Sequence, residues 1–238
     1  MKPADGPASQ RTQPWERGDM DLSRADVARM LDLTLLRPEA TPDEVVALCV
    51  EANELGVGAV CVSPCHVELA VNALDDAIVV CTVVGFPSGA VDSRIKAMEA
   101  SLALAAGASE IDMVANLGLI KSGDWEGLES DIADVAAAVP NALLKVILET
   151  GALTDAEIVE ACRVARSAGA DFVKTSTGFH PSGGATVAAV RLMAETVGED
   201  TGIKASGGIR DAGTARAMIE AGATRIGTSG GRAILEGW

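Results

Sequence analysis

Four times in this chain the same ten-residue junction returns: ELGVGAVCVS at 54–63, AAGASEIDMV at 105–114, SAGADFVKTS at 167–176 and EAGATRIGTS at 220–229. Each reads as the end of a helix, a glycine, and then a short strand. Gly56, Gly107, Gly169 and Gly222 stand where a helix has to stop in a left-handed conformation, which costs glycine little. A chain that repeatedly passes from helix to strand in this way builds a parallel sheet, because parallel neighbours need a crossover connection between them.

Carrying this phase along the chain predicts strands at 31–35, 58–62, 78–84, 110–114, 142–148, 171–175, 202–205 and 225–228. Helices are predicted at 42–55, 64–73, 92–106, 124–138, 154–168, 185–197, 211–221 and 231–236, with one more at 22–30 ahead of the first strand. The strand segments are unbroken apolar runs, as expected of a sheet covered on both faces. Helix starts carry capping signals, Thr41 with Pro42 and Glu44, and Thr154 with Glu157. Eight β-then-α units of about 26 residues each come close to the roughly 250-residue norm of a closed barrel. The expected class is therefore α/β, a (β/α)8 TIM barrel with an extra N-terminal helix. An open doubly wound sheet is the alternative, but it usually shows a Gly-rich dinucleotide fingerprint after an early strand, and none is present.

Residues 1–20 carry three prolines and no apolar periodicity, and read as a flexible N-terminal arm ahead of a single catalytic barrel domain at 21–238. Apolar residues make up 48% of the chain and charged ones 22%, enough to bury a core. Acidic side chains number 34 against 19 basic, a net charge of −15, which argues against a nucleic-acid partner and for a small one. The five cysteines are odd in number and follow no signal-peptide pattern, which fits a reducing cytoplasm. Apolar runs such as 78–84 fall far short of the roughly 20 residues of a membrane-spanning helix.

Only six of the basic residues are lysines, and three of those, Lys145, Lys174 and Lys204, lie inside predicted strands. Lysine is almost never fully buried without a partner. A structural ion pair explains any one of them as well as chemistry does. Two on adjacent strands, at the C-terminal ends that face a barrel's active site, favour chemistry. An amine desolvated beside another cation gives up its proton more readily and attacks carbonyl carbon, so the implied reaction is imine formation with an aldehyde or ketone. Asp112, at the end of the fourth strand, and Asp32, at the end of the first, are the matching carboxylates for proton transfer. Lys145 reads as structural or field-tuning.

Glycines follow the late strands: Gly178, then Gly207 and Gly208, then Gly227, Gly230 and Gly231. Loops of this kind let backbone N–H groups converge on an anion, and barrels commonly hold phosphate there. Cys61, Cys65 and His66 hint at a metal, but a zinc site wants four ligands and the only other histidine is His180, so no metal or other cofactor is expected.

The segments DLTLLRPEAT (32–41), VVGFPSGA (83–90), EIDMVANLG (110–118), LLKVILETG (143–151), DFVKTSTGF (171–179) and KASGGIRD (204–211) together resemble the deoxyribose-phosphate aldolase family, in register from about residue 22 to 232. The resemblance implies a cofactor-free class I aldolase that reversibly cleaves 2-deoxy-D-ribose 5-phosphate into D-glyceraldehyde 3-phosphate and acetaldehyde, in deoxyribose phosphate catabolism. By the same resemblance Lys174 is the Schiff-base lysine, Lys204 the neighbour that eases its deprotonation, and Asp112 the acid that moves protons with Lys204 and a water. Asp32 and Thr34 match a motif near the substrate hydroxyls, and Gly178, Gly207, Gly208, Gly227 and Ser229 match the phosphate pocket. Independently of the resemblance, the position of Cys61 at the end of the second strand reads as a pocket-lining thiol. A homodimer is among the assemblies the resemblance allows. Three departures stand out: Phe179 where some members carry a phosphate-side lysine, Gly230 where some carry serine, and no tyrosine anywhere to supply the proton-transferring tail of some relatives.

Overall fold

All four junction glycines take positive φ, 65° at Gly56, 104° at Gly107, 98° at Gly169 and 114° at Gly222, in a computed structural model whose described residues are 22–238. At Gly56 the reason is the cap: its N–H reaches back to Ala52 O from a left-handed conformation. At Gly107 close packing adds a second reason, because a Cβ there would stand 2.9 Å from Val71 Cγ2. The arm expected at 1–20 lies outside the described residues.

The chain runs α1 (Arg24–Met30), β1 (Leu31–Leu35), α2 (Pro42–Leu55), β2 (Ala59–Val62), α3 (Val67–Ala73), β3 (Val79–Val84), α4 (Ser93–Ala105) and β4 (Glu110–Val114). It continues with α5 (Leu117–Ser122), α6 (Trp125–Ala138), β5 (Leu143–Ile147), α7 (Asp155–Ser167), β6 (Phe172–Lys174), α8 (Val187–Val197), β7 (Gly202–Ser206), α9 (Ala212–Glu220), β8 (Arg225–Thr228) and α10 (Gly231–Glu236). The strands close into one barrel in the order β1 to β8, every neighbouring pair parallel. This is the (β/α)8 barrel, with α1 as the additional helix.

Local chemistry starts the helices where the sequence indicates. Ser23 with Asp26, Thr41 with Glu44 and Thr154 with Glu157 all form reciprocal capping boxes, each replacing a cap that would cost about 1 kcal/mol to lose. Between barrel and helices lies an apolar shell that includes Leu31, Leu33, Ile111, Leu128, Ile132 and Leu144, all buried. Each such side chain contributes roughly 1.5–3 kcal/mol on burial.

Most boundaries fall within one or two residues of expectation, and two departures are larger. The helix predicted at 64–73 opens as a 3-10 turn at Pro64–His66 before α3 begins. Helix α5 was not anticipated, being only 6 residues long; Asn116 caps its start and Gly123, at φ 70°, ends it. No helix among the described residues is long and apolar enough to cross a membrane.

Candidate active site

In a ring of eight strands β4 and β8 face each other across the axis, yet Arg225 Nη2 on β8 lies 2.5 Å from Glu110 Oε1 on β4. That contact runs through the middle of the barrel. Branched aliphatic side chains usually fill this space; here it holds a network of charges. Arg225 Nη1 also approaches Asp32 Oδ1 at 3.1 Å. Lys204 Nζ bonds Asp32 and, at 2.7 Å, Asp112 Oδ2. Lys145 Nζ lies 3.0 Å from Asp112 Oδ1 and 2.6 Å from Glu110 Oε2, and Lys174 Nζ donates to Asp112 Oδ2 at 2.7 Å. All of these groups are buried or nearly so.

Asp112 is the hub. Burial opposes its ionisation, but the ammonium groups of Lys145, Lys174 and Lys204 outweigh that and hold its carboxyl well below the usual carboxylate range. Asp32 is lowered in the same way, burial being overcome by Lys204, Lys145 and Arg225. For Lys204 the balance runs the other way: burial favours the neutral amine, yet Asp112 and Asp32 keep its proton on far above the ordinary lysine range. Burial and the adjacent Cys61 and Asp112 push the Cys81 thiol up, and its Sγ donates to Asp112 Oδ1 at 3.1 Å.

Above this layer opens a cavity of about 390 Å³. Its wall includes Thr34, Lys174, Gly178, Gly207, Gly208, Gly227 and Ser229, with Arg37, Phe179 and Arg210 among the rest. Lys174 is thus the interior amine that reaches the cavity, at its floor. Beside it, a Cβ on Gly227 would stand 3.2 Å from Lys204 Cε, so the glycine keeps the space above the two lysines clear. Among the described residues, the N–H groups of Gly178, Gly207, Gly208 and Ser229 go to no backbone acceptor, and loop N–H groups left over in this way suit an anion.

The late loops are locked together from below. Thr175 Oγ1 donates to Ser206 O and accepts from Ser206 N, and Ser206 Oγ donates to Ser176 O. A Cβ on Gly184 would fall 2.1 Å from Gly207 O, so only glycine permits that approach. Glu149, at the end of the fifth unit's strand, accepts from Thr177 N at 3.2 Å and from Thr177 Oγ1, whose oxygen accepts in turn from Phe179 N. Glu149 holds φ 59°, a left-handed conformation that a non-glycine residue adopts at a cost of about 1 kcal/mol or more.

Several expected placements need correction. Asp32 and Asp112 do not stand at strand ends: Asp32 is the second residue of β1, Asp112 the middle of β4, and Lys204 the middle of β7. Barrel strands are staggered, so residues at different positions along their strands share one level; Lys174, last in β6, is the register partner of Lys204. Asp32 is fully buried beneath the cavity on Lys204 and Arg225, and it is its neighbour Thr34 that reaches the wall. Cys61 is also sealed, packed with Leu36, Cys81, Val83 and Phe86, and takes no part in the wall. Arg37 and Arg210 also line the cavity, Arg37 being engaged by Glu39 and Glu44.

Sequence reasoning missed Glu110, Arg225, Cys81 and Glu149. For Glu110, Cys81 and Arg225 the signal was present as charged or polar residues inside strand segments, but the contacts that give them meaning are long-range, the one from Asp32 to Arg225 spanning 193 positions. Cys61, Cys81 and Asp112 offer ligand atoms within 4.8 Å of one another, as do Asp32, Cys81 and Glu110. The carboxylates of both trios are already met by Lys145, Lys174, Lys204 and Arg225, so a metal ion there would face a ring of fixed positive charge.

Comparison with known proteins gives one answer. A family model described as DeoC/LacD family aldolase matches residues 26–237. The deoxyribose-phosphate aldolase of Kocuria rhizophila is 56% identical over 217 residues, 91% of this chain and 98% of that one. Among solved structures, an aldolase designated QR15 superposes with a TM-score of 0.85 at 43% identity, over 89% of this chain and 95% of its own. Deoxyribose phosphate aldolase from Aeropyrum pernix, described as tetrameric, gives 0.82 at 34% identity over 90% and 91%. A charged barrel floor, a lysine at the base of the cavity and matches running almost end to end make this chain a member of the DeoC/LacD family of aldolases.

Proposed function

We infer that the protein cleaves 2-deoxy-D-ribose 5-phosphate reversibly into D-glyceraldehyde 3-phosphate and acetaldehyde, through an imine on Lys174 and without a cofactor. The observation that carries this reading is the Lys174 amine at the cavity floor, on a carboxylate it shares with Lys204, beneath the late glycine loops.

The Lys174 amine attacks the C1 aldehyde of the open-chain sugar, and water leaves as the imine forms. The protonated imine draws in the electron pair of the C2–C3 bond as the C3 hydroxyl gives up its proton. Glyceraldehyde 3-phosphate departs, an enamine remains, and a proton delivered to C2 regenerates an imine that water hydrolyses to acetaldehyde. Asp112 with Lys204, each bonded to the other at 2.7 Å, manages these protons through a water. The phosphate sits against the N–H groups of Gly178, Gly207, Gly208 and Ser229, with Gly227 and Arg210 beside them in the wall. Binding that remote dianion orients the sugar for cleavage. Thr34 faces the sugar hydroxyls.

Five free cysteines fit a reducing cytoplasm, and the product pair fits deoxyribose phosphate catabolism. Exposed Ile95, Met98 and Leu102 along one stripe of α4 support association of copies, of which a homodimer is the simplest.

Borohydride reduction in the presence of acetaldehyde, followed by peptide mass analysis, tests the mechanism. An ethyl group on Lys174, together with release of glyceraldehyde 3-phosphate from the sugar phosphate, is expected. No adduct on Lys174 sinks the mechanism, and an adduct without cleavage of the sugar phosphate moves the substrate to a different aldol.

A further inference from the structure

Every strand of the barrel brings an ionisable group to the charged interior: Asp32 on β1, Cys61 on β2, Cys81 on β3, Glu110 and Asp112 on β4, Lys145 on β5, Lys174 on β6, Lys204 on β7 and Arg225 on β8. The carboxylates are Asp32, Glu110 and Asp112; the cations are Lys145, Lys174, Lys204 and Arg225. One positive charge is in excess, and uncompensated charge is costly away from water. The excess disappears if one cation gives up its proton, which an arginine does not do.

The geometry selects among the lysines. Lys204 bonds Asp32 and Asp112, and Lys145 bonds Glu110 and Asp112. Lys174 has Asp112 alone, through the oxygen that Lys204 also uses, and it lines the cavity. It has the least to lose. Arg225 and Glu110 touch neither Lys174 nor the cavity above it: each is the first residue of its strand, on the wall of a separate cavity of about 480 Å³ with Arg29, Val57 and Val79, and each reaches Lys174 only through Asp32, Lys145, Lys204 and Asp112.

We propose that Arg225 and Glu110 are positioning residues: from the end of the barrel opposite the cavity, their fixed charges make Lys174 the interior amine that gives up its proton. The proposal rests on the reading of Lys174 as the imine-forming lysine. Removing the arginine's charge leaves three cations for three carboxylates, so Lys174 keeps its proton to a higher pH. Removing the glutamate's charge leaves two cations in excess, so it loses the proton at a lower pH. A part that only braced the fold would weaken the protein in both cases without moving the pH profile in opposite directions.

The test is the pH profile of borohydride trapping, in which Lys174 and acetaldehyde condense with loss of water and hydride adds to the imine carbon to leave an ethylamine. Relative to the parent protein, the acid limb of this profile is expected to move about one pH unit upward in Arg225→Gln and about one unit downward in Glu110→Gln. The double variant restores an excess of one charge, and its limb is expected to return to the parent position. Unmoved limbs, or limbs moving the same way in both single variants, overturn the proposal. If one single variant does not fold, the other decides, a limb that stays put or moves the opposite way overturning the proposal, as does a displaced limb in the double variant. Parent protein that traps nothing on Lys174 overturns the imine reading itself, whereas a parent that traps normally beside unresponsive variants overturns only the role of Arg225 and Glu110.

Discussion

The molecule buries lysine beside aspartate in two places, and the two are not alike. Between α4 and α6, Lys96 Nζ lies 2.7 Å from Asp131 Oδ2 and donates to Val114 O at 3.0 Å, while Asn116 N donates to the same carboxylate. One cation meets one anion, and every remaining valence goes to the backbone that leaves β4. There burial wins on both sides: it lowers Lys96 and raises Asp131, each toward its neutral form. In the barrel Asp112 is shared by three ammonium groups, and mutual attraction wins instead, keeping Asp112 and Lys204 charged. Burial of a lysine is therefore a poor sign of chemistry by itself. What marks Lys174 is an unequal count of charges and an opening beside the amine that is in excess.

The largest effect expected from this contrast is on turnover. Lys174→Met removes the amine we propose as the imine former and is expected to lower kcat by about 10⁴-fold or more, on the scale of deleting a catalytic nucleophile, while thermal unfolding shows little loss because the cation removed is the surplus one. A melting temperature that collapses with activity would make Lys174 as structural as Lys96.

Lys96→Met should do the reverse. It leaves Asp131 buried without its cation, at a cost of about 3–5 kcal/mol, yet ethyl trapping on Lys174 should survive in the folded fraction. Pairing it with Asp131→Leu should recover most of the stability, since replacing both members of a buried pair is often nearly neutral. Denaturant titration of both variants checks this; a double variant no more stable than the single one would show that the pair does more than brace the end of β4.

The smallest effect separates the two aspartates by their acid behaviour. Asp112 has a folded value well below the ordinary aspartate value of 3.8, so its stabilisation is present above that value and is lost as pH falls through the lower folded one. Asp131 has a folded value above 3.8, so its ionisation costs stability as pH rises, and protonation returns that stability on the acid side. Unfolding free energy measured between about pH 5 and 2 should then fall less steeply in Asp112→Asn than in the parent protein, and more steeply in Asp131→Asn. The change of slope is at most about 1.4 kcal/mol per pH unit for one group. Slopes altered in the same sense would remove the distinction.

Much of this was legible in the residues. The junction glycines carried the phase of the barrel, because a helix stop followed by an apolar run is a local event that ten residues suffice to write. The three strand lysines were conspicuous for the same reason. Depth was not legible: Asp32 reads as a strand-end residue until the stagger of the strands places it beneath Lys204. Arg225 and Glu110 open their strands, where a charge looks like the end of a loop, and their pairing exists only because the ring closes. Cys61 looked accessible because nothing local shows Leu36 and Phe86 folding over it.

The grip of Glu149 on Thr177 bears on when the cost of order is met. The segment after β6 is held by a buried carboxylate whose own backbone sits in an unfavourable conformation. Its conformational entropy is surrendered once, as the chain folds, and each arriving ligand finds the loop already arranged. A weakly held loop would levy that cost at every encounter, and affinity for a small, highly hydrated dianion would suffer with each turnover.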